Sequence, residues 1–207
     1  MAEQLDTIKL PEPVLSGKYS LAQALQHRRS VREYLDAKIT LPELGQLLWA
    51  AQGITDKQGL HTAPSAGALY PLELYVVANN VDGLSAGVYQ YHPRNHRLTS
   101  VLPKELSQAL SRAALGQDSV REAAAVVVFT AIYRRTTKKY GKRGERYVHI
   151  ETGHAAENLF LQAQALGLGT VDVGAFDDDV VARLLELPDD VKPILLMPVG
   201  RVQRFSY

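Results

Sequence analysis

The segment ERYVHIETGHAAENLFLQAQAL, residues 145–166, places apolar or small side chains in steps of three and four at Val148, Thr152, Ala155, Leu159, Ala163 and Leu166. That period predicts the longest helix of the chain, and Gly167 directly after it is a C-cap residue type. Gly153, Ala155 and Ala156 are small enough to admit a neighbouring helix at short range, so the helix is expected at the centre of the fold with Gly153 to Phe160 at a subunit interface. Upstream, AAVVVFTAIY at 124–133 is an almost unbroken apolar run of strand length, the kind buried on both faces. A long amphipathic helix laid on a buried strand predicts an α+β sandwich, with a central mixed β-sheet flanked by helices.

Outward from this pair the chain alternates element signals with breakers. Ser20 is an N-cap residue ahead of Leu21, Ala24 and Leu25, which predicts a short helix ending near Arg28 to Ser30. Thr40, Pro42 and the apolar face Leu44, Leu47, Leu48 and Ala51 predict a second helix, stopped by Gly53. LELYVVA at 72–78, AGVYQYH at 86–92 and RLTSVL at 97–102 read as strands, the last two joined by the HPRNH turn. Helices are expected at 103–115 and 177–187, and PILLMPVGR at 193–201 as a final buried strand. Residues 1–18, with two prolines and no periodic pattern, are expected as an extended N-terminal arm, and 19–207 as one domain.

Composition narrows the chemistry. The 207 residues are 46% hydrophobic and 22% charged, which excludes disorder as the main state. A net charge of +1 offers no global attraction for nucleic acid or an anionic membrane. The absence of cysteine excludes disulfides, thiolate nucleophiles and iron–sulfur clusters. No basic start with an apolar run behind it opens the chain, so the expected location is cytoplasmic.

Several motifs invite a function. HIETGH resembles a zinc helix motif, but His149 and His154 are five apart and point about 140° apart around a helix, so no metal site is expected. GLGTVDVG leaves a helix and enters an extended segment, the reverse of a dinucleotide fingerprint, while Gly169 and Gly174 remain places where backbone amides can approach a flat ligand. RRSVREY at 28–34 groups Arg28, Arg29 and Arg32 around Ser30, a donor set suited to phosphate or to a plain basic surface. Arg201, after Gly200, offers a second such donor from the far end of the chain. The run from Arg134 to Arg146, with Lys139, Tyr140 and two glycines, reads as a solvated loop or as a cationic lid over an anionic ligand.

Taken in order, RRSVREY, LGQLLWAAQGIT, TAPSAGALYPLELYVV, GVYQYHP, YVHIETGHAAENLFLQAQALGLGT, VGAFDDD and PVGR resemble the FMN-dependent nitroreductase family, and within it the SagB-type branch of azoline-oxidase-like dehydrogenases. The resemblance implies a homodimer that buries the long helices and shares two FMN sites. It implies Arg28, Arg29 and Ser30 at the FMN phosphate with Gly200 and Arg201 completing the cage, and Arg32 under the flavin pyrimidine edge, where reduction leaves negative charge. Pro64, Ser65, Ala66 and Gly67 would meet the flavin from the second subunit. Val173 and Gly174 would present backbone amides toward flavin N5.

The implied activity is ping-pong hydride transfer from NAD(P)H to a small flat acceptor such as a nitroaromatic or quinone, with the cofactor carrying the chemistry. A second reading is oxidation of thiazoline or oxazoline rings in peptides, with Lys139 and Tyr140 as the catalytic pair that removes a ring proton. A third is an FMN-binding dimer without turnover. The chain shows no peptide-docking segment, so the expected partners are a second copy and a small-molecule substrate, without nucleic acid or membrane.

Overall fold

The computed structural model describes residues 6–203. Its strands are β1 Thr7–Lys9, β2 Ile39–Thr40, β3 Leu72–Ala78, β4 Val81–Asp82, β5 Gly87–His92, β6 Arg97–Leu102, β7 Ala125–Ala131, β8 Leu168–Thr170 and β9 Lys192–Arg201. Its helices are α1 Leu21–His27, α2 Leu41–Gln52, α3 Ser107–Ala113, α4 Asp118–Glu122, α5 Arg134–Tyr140, α6 Arg143–Leu166 and α7 Asp178–Leu184. Residues 1–5 of the expected arm and 204–207 of the expected domain lie outside the described residues.

Seven strands form one sheet in the order β1-β6-β5-β3-β7-β9-β8. The sheet was expected to be mixed, but every strand pairing in it is antiparallel. Parallel pairing is confined to the short β2–β4 ribbon and to a single bridge between Ser30 and Thr170. All seven residues of β7 are buried because helices cover both faces of the sheet. Val127, Phe129 and Ala131 face a core with Val148, Ala155 and Leu159 of α6, and Val126 and Val128 face a second core with Leu110, Val120 and Val181. The alternation follows from the two-residue period of a strand.

Local signals set most boundaries. Ser20 and Thr40 each close a capping box, the second with Glu43. Gly167 ends α6 in the left-handed conformation at φ +69°. Two expectations changed. The helix expected over 103–115 is only Ser107–Ala113, since Pro103 and the 103–106 stretch lead into it without helical backbone. The basic run expected as a loop is helical from Arg134 to Tyr140, breaks at Gly141 (φ +56°) and resumes at Arg143. Straight-chain arginines and lysines favour helix, and Thr136 anchors α5 by being buried. Among the described residues no helix is long and apolar enough to cross a membrane.

Candidate functional site

Two groups of residues singled out by sequence lie against different turns of α6. The first gathers where α1 ends. Arg28 is the α1 C-cap, with its guanidinium 5.0 Å from the Phe160 ring centroid and Nε 3.8 Å from Glu157 Oε1. Asp172 completes a small charged cluster. Burial and the Glu157 charge raise its carboxyl pKa, and Arg28 opposes them. Arg29 turns back, donating from Nη1 to the Gln26 and Arg28 carbonyls, so it serves as a cap for α1. Ser30 is exposed, Arg32 is exposed, and the Val31 amide donates to the Thr170 carbonyl at 2.8 Å.

The glycines nearby have distinct reasons. A Cβ on Gly169 would stand 2.4 Å from Val202 Cγ1 and 2.9 Å from Val31 Cβ, and one on Gly200 would stand 2.6 Å from the Tyr34 ring. Gly169 and Gly200 face each other across β8 and β9, so both exist to let the 31–34 segment lie over the sheet. Gly174 is different: a Cβ there would meet nothing. Its amide donates to no group among the described residues, whereas the Val173 amide already donates to the Leu196 carbonyl at 2.9 Å. Of the two, Gly174 therefore holds the available donor.

Arg201 has partners different from those of Arg28. Its Nη2 donates to Glu43 Oε2 at 2.7 Å and its Nε to the Lys38 carbonyl at 3.1 Å. The guanidinium thus ties the end of β9 to the capped start of α2, and the two arginines share no partner.

The second group forms around residues 64–67. Gly67 has φ +65°, and a Cβ on it would stand 2.7 Å from the Tyr140 hydroxyl and 2.9 Å from Lys139 Nζ. Pro64 is exposed, Ser65 and Ala66 are half-buried, and Ser65 Oγ accepts from the Tyr70 amide at 2.9 Å. Lys139 Nζ stands 5.3 Å from the Tyr140 ring centroid, and Tyr140 meets Tyr147 edge-to-face at 5.1 Å. Beneath them lies Glu151, 2% exposed, with Oε1 unpartnered. Burial pushes its carboxyl up to about 7, and a hydrogen bond from Ser65 opposes the rise. Sequence reasoning passed over Glu151, although a carboxylate between Val148 and Ala155 on the apolar stripe of a helix was a visible signal. His149, by contrast, is taken up by the Tyr133 hydroxyl at 2.7 Å.

Comparison with known proteins gives a consistent picture. A family model described as the nitroreductase family matches residues 25–201. A relative from Methanocaldococcus jannaschii, provisionally named a nitroreductase, is 47% identical over 196 residues, 95% of this chain and 98% of that protein. The microcin B17-processing protein McbC of Escherichia coli is 32% identical over 146 residues, 67% of this chain and 53% of its own length. A crystal structure of an Anabaena variabilis protein, also provisionally named a nitroreductase, superposes with TM-score 0.85 at 32% identity, covering 96% of this chain and 42% of that one.

Proposed function

Because this chain belongs to the nitroreductase family of oxidoreductases, we propose that it is a homodimeric FMN-dependent reductase acting between NAD(P)H and a small flat acceptor such as a nitroaromatic or quinone. The observation that carries this reading is the edge made by Arg28, the exposed Ser30 hydroxyl and the available Gly174 amide, joined through the Ser30–Thr170 bridge. Its donor chemistry fits a phosphate at one end and a hydrogen-bond acceptor at the other. The Arg28–Glu157 pair, at 3.8 Å, is loose enough for an oxyanion to compete with it. When bound, FMN would supply the two-electron chemistry.

The protein's own contribution is placement. Arg28 and Ser30 would hold the phosphate, with Arg29 behind them as a helix cap, and the Gly174 amide would orient the ring edge. Arg32 would lie where negative charge develops. Gly200 would serve by admitting Tyr34, and Arg201 would join the phosphate donors by sharing itself with Glu43. Pro64 to Gly67 of a second copy would close the site, with Ser65 as its polar contact. Exposed apolar side chains on α1 and α6 support a second copy: Leu21, Leu25 and Ile150 are 65%, 57% and 48% exposed. Ala155 and Ala156 are buried within the chain, so close approach on α6 falls to Gly153, whose Cβ position faces open space.

The test is direct. The purified protein is expected to be yellow, to bleach on adding NADPH or NADH, and to show parallel double-reciprocal plots with a quinone. Arg28→Ala is expected to raise the FMN dissociation constant about ten- to a hundredfold, the cost of one charged donor to a phosphate. A colourless protein that FMN does not reconstitute, or an unchanged constant, would reject the reading. Yellow protein that no donor bleaches would favour a flavin-binding dimer without turnover.

A second reading has one observation in its favour. Lys139 and Tyr140 are held by α5 against Gly67, and one relative, McbC, is a microcin B17-processing protein. In that reading the pair removes a proton from a thiazoline or oxazoline ring.

A further inference from the structure

Residues 68–70 line a cleft of about 600 Å³. One wall is a ring stack, His61 on Tyr70, with centroids 3.8 Å apart and planes 12° apart. His61 Nδ1 donates to Gln52 Oε1 at 2.8 Å. Burial, and then the charge of Arg94, hold the His61 pKa down to about 4, so the ring is neutral at physiological pH. The β5–β6 turn supplies Arg94 and Arg97, and α5 supplies Arg135.

The lining has more cationic than anionic side chains. Glu73 is its one carboxylate, and both oxygens are occupied: Arg135 Nη2 lies 2.6 Å from one and Gln90 Nε2 lies 3.2 Å from the other. Neither Arg94 nor Arg97 pairs with a carboxylate among the described residues. Gln52 is 2% exposed, yet its Nε2 has no partner, and neither has the buried Nε of Arg97. Buried donors left unmade cost free energy, so a wall of this kind is stabilised by whatever brings oxygen acceptors with negative charge. Three guanidiniums against one carboxylate set the sign.

We propose that this cleft is an oxyanion site, binding the carboxylate or phosphate group of a small organic ligand through Arg94 and Arg97. Guanidinium groups recognise both oxyanions with paired donors. The site is argued from its own residues. Its use as a substrate anchor rests on the reductase reading above, because Ala68–Tyr70 continue the 64–67 turn placed at the flavin of a second copy, and a ligand held here stands beside that turn.

Calorimetric titration of the holoprotein with benzoate and, separately, with inorganic phosphate tests it. At least one of the two is expected to bind once per chain, more weakly at high salt, and at least tenfold more weakly to Arg94→Gln and to Arg97→Lys. Arg112→Gln, on the exposed side of α3, should leave the affinity unchanged. Circular dichroism establishes that each variant is folded. Kinetics then separate the sources. A tenfold rise in KM for 4-nitrobenzoate relative to nitrobenzene in Arg94→Gln identifies a carboxylate-bearing acceptor, and a selective rise in KM for NADPH identifies a donor phosphate. Equal binding of both anions to wild type and to Arg94→Gln, or no binding to either, overturns the proposal. Anion binding lost in the variants of a protein that takes up no flavin would sustain the cleft and reject the reductase reading.

Discussion

The Tyr140 hydroxyl lies 2.7 Å from the point where a side chain on Gly67 would begin, so the 64–67 turn and helix α5 are fitted to one another. This relationship brings the Lys139–Tyr140 pair and the turn into one place, though Lys139 lies 72 positions after Gly67 in the chain.

Replacing Gly67 with alanine forces a methyl group into that gap at a left-handed φ of +65°. Gly67→Ala is expected to lower stability by about 1–3 kcal/mol in urea unfolding. Adding Tyr140→Phe should return part of the loss by withdrawing the hydroxyl, a positive coupling in a double-mutant cycle. Strict additivity would show that the two residues do not meet.

Glu151 sets a pH dependence. Its carboxyl ionises near 7 in the folded chain against an ordinary 4.5, so between those values the folded state holds more protons than the unfolded one. This group therefore favours folding most below its unfolded pKa, and that advantage is lost as pH rises through the folded pKa. Glu151→Gln should flatten the stability profile across this window. An unaltered profile would place the titration elsewhere.

Arg201 and Glu43 form a pair at 2.7 Å with both side chains mostly shielded. Glu43 also accepts from the Thr40 amide at the start of α2. Glu43→Ala and Arg201→Ala are each expected to cost about 1 kcal/mol of stability, the first through the lost cap of α2 and the second through the lost tie to it. Arg201→Ala should also weaken FMN binding, by less than Arg28→Ala does. Loss of stability with unchanged FMN affinity would leave Arg201 as a clamp on α2 alone.

A dimer predicts that Gly153 is covered by a second copy, since among the described residues nothing outside its own helix backbone lies within 4 Å of its Cβ position. Gly153→Leu should leave the folded chain intact while shifting sedimentation from about twice 22.8 kDa toward the monomer mass. Flavin should be lost in step. A dimer that persists unweakened in Gly153→Leu would move the interface elsewhere.

Lys139 and Tyr140 separate the two enzymatic readings. As a base pair for ring oxidation, Lys139→Ala and Tyr140→Phe should abolish azoline turnover and spare NAD(P)H-driven reduction of a nitroaromatic. Under the favoured reductase reading the changes mainly raise the donor KM, more so at low salt. Azoline turnover lost with unaltered reductase kinetics would reverse the preference.

The caps at Ser20, Thr40 and Gly167, the helix period of α6 and the apolar run of β7 are all legible in the sequence, because each depends on residues within a turn or two of chain. So is the nitroreductase family, from motifs in order. Helix α5 reads as a loop from sequence because charge and glycine outweigh helix propensity in a purely local view. The antiparallel sense of the sheet, the pairing of Arg201 with Glu43, the two different reasons for Gly200 and Gly174, and the burial of Glu151 under Ser65 come only from the tertiary structure. The physical reason is common to them: each is set by which distant segments the sheet register brings within a few ångströms, and spacing along the chain carries no record of that distance.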